Sequence, residues 1–194
     1  MSNADPVVRT HVALIRGINV GGRNPVAMAD LREIVTSLGH ADVATYIQSG
    51  NVVFTTRETN TTSLAMALER GMAERLDIAT SVVVVSREEL AQVIADNPYA
   101  DEASPKCLHA VFRREGIGAD GLAALAVALQ RARDKGSRDE ACVVGRTLFL
   151  HTPDGLGRSE LAAQLARIGA ATSGAAGTAR NWATVTKLMS LLTS

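Results

Sequence analysis

A chain of 194 residues can bury a core of its own and suits one medium domain or two small ones. Hydrophobic residues make up 46% and charged residues 21%, a globular balance that excludes a disordered or fibrous chain. Basic and acidic side chains number 20 each, so formal net charge is zero, which argues against a broad nucleic-acid surface.

The run Val12-Ala13-Leu14-Ile15 predicts a first strand, leading into Arg16-Gly17-Ile18-Asn19-Val20-Gly21-Gly22. Met28, Leu31, Val35 and Leu38 recur at helical spacing and stop at Gly39. A β-hairpin follows, with strands near residues 43–47 and 52–55 about a polar Gln48-Ser49-Gly50-Asn51 centre. Asn60 or Thr61 caps a second helix, marked by Leu64, Leu68, Met72 and Leu76. The run at 81–85, a serine followed by four β-branched valines, is a fourth strand, which makes the order β-α-β-β-α-β, the split pattern of ferredoxin-like units.

Ser86 and Glu89 form a capping box at the start of a linking helix, which ends at Asp96-Asn97-Pro98. The theme then repeats. Residues 107–112 predict a strand, and Leu122, Leu125, Ala126 and Leu129 a helix behind Asp120. Residues 141–144 and 147–150 form a second hairpin, and Leu161, Leu165 and Ile168 mark a fifth helix. No final strand is evident in the small, Gly-rich run 170–177. Trp182, Val185, Met189 and Leu192 instead give a C-terminal helix with Thr178 as its cap. The expectation is an α+β chain of two ferredoxin-like halves, residues 1–96 and 97–194, an internal duplication whose second copy is altered at its C-terminal end.

Cys107 and Cys142 lie far apart in apolar runs without metal-ligand spacing, which fits buried thiols in a reducing compartment. The N-terminus shows no secretory pattern, and no apolar run approaches the roughly 20 residues that cross a bilayer, so a cytoplasmic protein is expected. Residues 1–7 stay outside the fold reading, because Ser2-Asn3-Ala4 reads as a tag remnant.

Three segments carry a family resemblance: 14–22 (LIRGINVGG), 46–54 (YIQSGNVVF) and 178–185 (TARNWATV). Together with residues 28–31, 143–145 and 155–161, they resemble the bacterial family of proteins of unknown function DUF1697. The resemblance implies a compact α+β protein of two related ferredoxin-like halves, and it implies no activity. One departure is Pro25, three residues ahead of Met28, where the family more often has proline directly before that methionine.

In a β-α-β-β-α-β unit the third strand lies between the first and second, so the end of the first strand neighbours the hairpin turn. That topology gathers Arg16 and Asn19 with Gln48, Ser49 and Asn51. A glycine loop with Gly21 and Gly22 before a helix can cradle an anion on its N–H groups, or simply turn the chain. Its spacing matches neither a Walker loop nor the dinucleotide fingerprint. Gln48, Ser49 and Asn51 can bond a ligand or satisfy their own turn.

At the C-terminal motif, Thr178 as cap puts Arg180 in the first turn of the last helix, beside Asn181 and Trp182. A cation there opposes the helix dipole by about 0.3–1 kcal/mol unless an anion compensates, whether a bound ligand or an internal carboxylate. Trp182 falls on the apolar face and reads as core. Arg158 and Ser159 after Gly155 and Gly157 pose the same choice between anion site and cap. His11, His40, His109 and His151 have no metal-ligand spacing, and His151, Asp154 and Ser159 match a catalytic triad in composition alone.

The leading expectation is a binding module for a small phosphate- or carboxylate-bearing ligand, with no cofactor and no recognisable catalytic machinery. The rival is an interaction or self-association module, a homo-oligomer built through sheet edges and faces. RNA binding ranks third, since three Phe, two Tyr and one Trp supply few stacking platforms.

Overall fold

The computed structural model describes residues 8–22, 24–102, 104–171 and 177–193. The chain divides into two compact units: residues through Gln92 together with those from Thr186 on, and residues from Val93 to Val185. The architecture is α+β, with one four-stranded antiparallel sheet in each unit.

The first unit runs β1 (His11–Ile15), α1 (Met28–Ser37), β2 (Ala41–Tyr46), β3 (Asn51–Thr55), α2 (Thr61–Leu76), β4 (Val82–Ser86) and α3 (Arg87–Ala95). Its sheet has the order β2-β3-β1-β4, every neighbouring pair antiparallel. Central β1 is buried at every position, which a continuous apolar run achieves only with both faces covered. Ala13, Ile15, Val52, Phe54, Val82 and Val84 on one face meet Leu31, Ile34 and Val35 of α1 and Leu64, Leu68 and Met72 of α2. The predicted caps form: Asn60 Oδ1 accepts from the Ser63 amide at 3.0 Å. Ser86 and Glu89 exchange the two bonds of the capping box at 3.0 and 3.1 Å.

The second unit runs β5 (Leu108–Phe112), α4 (Ala119–Asp134), β6 (Glu140–Val144), β7 (Thr147–His151), a 3-10 turn (Leu156–Arg158), α5 (Glu160–Ala171), β8 (Thr178–Asn181) and the start of α6 (Trp182–Leu192), whose residues from Thr186 on belong to the first unit. Its strand order is β6-β7-β5-β8, again antiparallel throughout. Leu125, Ala128 and Ala132 of α4 and Leu161 of α5 pack on Leu148 and Leu150 of β7.

Two sequence expectations are corrected here. Thr178 does not cap the last helix but opens β8, which pairs with β5 in the register Phe112↔Thr178 to His109↔Asn181. A final strand in the second half, absent from the sequence reading, is therefore present, and the helix cap moves to Asn181, whose Oδ1 accepts from the Thr184 amide at 2.8 Å. The strand is hard to see in sequence because it is four residues long and its buried positions are Thr178 and Arg180, not aliphatic. Most of the small, Gly-rich run ahead of it lies outside the described residues. Cys107 and Cys142 are only half-buried, with the Cys107 thiol 3.6 Å from the Pro153 carbonyl.

Candidate functional site

The end of β1 meets the tip of the β2–β3 hairpin through backbone pairing. Leu14 stands opposite Asn51, and the Ile15 amide donates to the Gly50 carbonyl at 2.8 Å. On the other side, the Arg16 amide donates to Ser81 at 2.9 Å, and its carbonyl accepts the Thr80 hydroxyl. The Arg16 backbone is thus fixed while its side chain is exposed. Among the described residues that guanidinium has no hydrogen-bond or ion-pair partner.

The loop beyond Arg16 is folded back by residues tolerant of positive φ. Gly17, Asn19, Gly21, Gly22 and Asn24 lie at φ 65, 54, 59, 74 and 46°. The Asn19 amide donates to the Asn24 carbonyl at 3.1 Å, and Asn24 Nδ2 reaches the Gly17 carbonyl at 3.3 Å. Asn19 then staples this ring to its surroundings. Its Nδ2 donates to the carbonyls of Val26 and Gln48, both at 2.9 Å, and its Oδ1 accepts from the Val26 amide at 2.8 Å. Asn19 is a positioning residue, holding the glycine tip beside the hairpin. The tip is open: among the described residues, a Cβ built on Gly21 or Gly22 meets no atom within 4 Å. Ahead of α1, Ala27 supplies no side-chain cap, so the first-turn amides lack the usual side-chain acceptor.

The hairpin residues divide. Gln48 is exposed at the tip, whereas Asn51 is fully buried and donates to the Tyr46 carbonyl at 3.1 Å and Ser49 Oγ at 3.0 Å. Asn51 therefore satisfies its own turn.

In the second unit, Arg180 is buried within β8 and donates to Thr178 Oγ1 at 2.7 Å and the Ala179 carbonyl at 2.9 Å. Burial pushes its guanidinium down to about 10. It is a strand residue and does not lie in the first turn of the last helix. Trp182 begins α6 and tilts against Phe149 at 6.1 Å.

The anion choice at Ser159 is settled by an internal carboxylate that sequence reasoning missed. Buried Asp139 accepts from Ser159 Oγ at 2.8 Å and from the Leu161 amide at 3.2 Å, while Ser159 Oγ caps Ala162. The triad composition also comes apart. His151 Nε2 contacts Glu102 at 2.6 Å, Asp154 pairs with Arg138 at 2.6 Å, and Ser159 bonds Asp139. The Ser104 amide, more than the His151 ring, holds the Glu102 carboxyl below its usual value. Tyr99 stacks on His151 at 5.2 Å, and burial, with Glu140 and Cys142 adding, pushes its hydroxyl up to about 12. These contacts join residues far apart in sequence, so no local motif announces them. No group of three His, Cys, Asp or Glu among the described residues is arranged to hold a metal, and no helix there is long and apolar enough to cross a membrane.

A family model described as "Protein of unknown function (DUF1697)" matches residues 8–149. The chain belongs to this family. The matched span covers all of the Arg16 loop and the hairpin of this DUF1697 protein and stops before β8. Among solved structures it is similar to the conserved bacterial protein SP0830 from Streptococcus pneumoniae. The identity is 24% and the TM-score 0.72, over 95% of this chain and 98% of that one, a likeness that concerns the fold. No curated protein matches.

Proposed function

We propose that this DUF1697 protein binds a small phosphate- or carboxylate-bearing ligand at the Arg16 end of its first sheet. The observation that carries the reading is Arg16 itself, a guanidinium on a pinned backbone whose side chain is exposed and unpaired among the described residues. Arginine's planar fork suits two oxygens of one anion. Gly21, Gly22 and the uncapped start of α1 add backbone N–H donors, and Gln48 adds an exposed carboxamide. Asn19, Ser49 and Asn51 hold this frame. Thr178, Arg180, Asn181 and Trp182 belong to the second unit, the first two as buried strand residues, Asn181 as the helix cap and Trp182 as a half-buried ring against Phe149. We further read each half, 1–96 and 97–194, as a ferredoxin-like unit and the pair as an internal duplication in a cytoplasmic protein; the shared strand order supports this.

The test is a thermal-shift panel on the full chain with inorganic phosphate, nucleotides, sugar phosphates, carboxylates and short RNAs. A ligand at a hundredfold excess over its Kd adds about 2.7 kcal/mol to the native state. The expected result is a shift with an anion class in wild type that Arg16→Ala abolishes while retaining its own unliganded Tm. A shift that survives Arg16→Ala overturns the assignment.

A specific observation favours a second reading, self-association. Val20 on the loop is 62% exposed and Ile47 on the hairpin 51% exposed, both at this sheet end. Concentration-dependent mass in light scattering, lost in Val20→Ser with Ile47→Ser, supports it; a constant monomer mass removes it.

A further inference from the structure

At the opposite end of the first sheet, two histidines lie against one phenylalanine. His11 stacks on Phe54 with centroids 5.9 Å apart and planes at 21°, and His40 tilts against it at 4.9 Å and 31°. Phe54 is fully buried and His11 is 5% exposed. The two rings differ in hydrogen bonding. His11 Nδ1 meets Thr10 Oγ1 at 2.9 Å, and that hydroxyl can turn toward the Thr56 carbonyl at 3.3 Å, so the ring keeps a partner in either protonation state. His40 Nε2 is buried with no hydrogen-bond partner among the described residues. A neutral ring can leave only a lone pair there, whereas an imidazolium places an N–H against the hydrocarbon with no acceptor.

The chain around His40 is held under constraint. Gly39 has φ 88° and Asp42 φ 53°, and the β2–β3 register shifts between Ala41 and Ala44. Arg9 fastens this corner: its Nε donates to the Asp42 carbonyl at 2.6 Å, while its Nη1 and amide reach the Leu191 and Leu192 carbonyls at 2.8 and 3.0 Å. The corner and the end of α6 thus share one clamp.

We propose that His40 is an acid-released latch: protonation expels its ring from Phe54 and frees the 39–42 corner from the sheet. Burial lowers the proton affinity of both rings; for His11 this outweighs the attraction of Glu88, Glu89 and Glu58, and His40 adds repulsion. Those carboxylates are otherwise engaged, Glu88 with Arg87, Glu89 in the capping box and Glu58 on the Asn60 amide. The Asp42 carboxylate, exposed on the corner itself, and the Arg9 guanidinium are the charged groups there, and burial is the cause that disfavours the imidazolium of His40. The proton therefore opens the latch, and the neutral ring closes it.

The experiment is amide exchange on the full chain, read as protection factors at pH 7.5 and 5.0 for residues 39–46, with residues 12–15 as the internal reference. Protection of the corner is expected to fall by up to about tenfold per pH unit below the His40 titration, with the reference unmoved. His40→Leu is expected to abolish that pH dependence; His40→Asn, which does not titrate, serves if the leucine variant fails to fold. His11→Leu is expected to retain it. Corner protection unchanged between the two pH values, or changing equally in the non-titrating variant, overturns the proposal.

Discussion

Replacing Gly50 by alanine tests how tightly the hairpin tip is locked onto the end of β1. Gly50 has φ 76°, and its carbonyl accepts the Ile15 amide at 2.8 Å. A Cβ there would stand 2.9 Å from Ile15 Cβ, 3.0 Å from the Ile15 carbonyl oxygen and 3.1 Å from Ile18 Cδ1. The Ile18 methyl can rotate away, but the two Ile15 atoms belong to a fully buried central strand. The left-handed conformation costs about 1–2 kcal/mol and overpacking about 1–3 kcal/mol. Against these, alanine lowers unfolded-state entropy by about 0.4–1 kcal/mol. The net loss is about 1–4.6 kcal/mol, which at about 2–4 °C per kcal/mol lowers Tm by about 2–18 °C. Thermal unfolding followed by circular dichroism reads it, with Gly21→Ala as control. Gly21 has a similar φ of 59° but nothing within 4 Å, so it carries the conformational cost without the clash. If Gly50→Ala is no worse than Gly21→Ala, the close approach of hairpin and strand is wrong.

Asp139→Ala removes a buried acceptor from Ser159 Oγ and the Leu161 amide, and a loss of about 2–3 kcal/mol is expected in urea unfolding. Ile47 is a β-branched residue at φ 47° with half its surface in water, so Ile47→Asn is expected to raise Tm by about 2–4 °C, a gain of about 1 kcal/mol. His109 is buried in β5 with Nδ1 unpartnered, and burial lowers its proton affinity. Because its folded pKa lies below the unfolded value of about 6.5, the unfolded state binds more protons between the two. Stability is full above that value and falls as pH drops through the window, by at most about 1.4 kcal/mol per pH unit for this group. Urea midpoints at pH 7.5 and 5.0 are expected to converge in part in His109→Leu; an unchanged pH dependence contradicts the assignment.

The first unit was legible because each element announces itself with an unbroken signal. Residues 82–85 are all valine, the apolar positions of α2 recur every fourth residue, and Ser86 with Glu89 fixes the start of α3. Topology alone then carried Arg16 and Asn19 to the hairpin. What stayed hidden rests on contacts without local pattern. Thr178 and Arg180 fill buried strand positions usually held by aliphatic residues, so β8 read as the start of a helix. Asp139 finds Ser159 across 20 residues and Glu102 finds His151 across 49. The stapling role of Asn19 required a positive φ and three simultaneous bonds that composition does not reveal.

An anion held at the Arg16 end of the first sheet is detectable by an amide chemical-shift titration of the full chain with inorganic phosphate. Saturable shifts confined to Arg16, Gly17, Gly21, Gly22 and the first turn of α1 are expected, absent in Arg16→Ala. Shifts centred on Arg180, or none at these amides at any phosphate concentration, would contradict it.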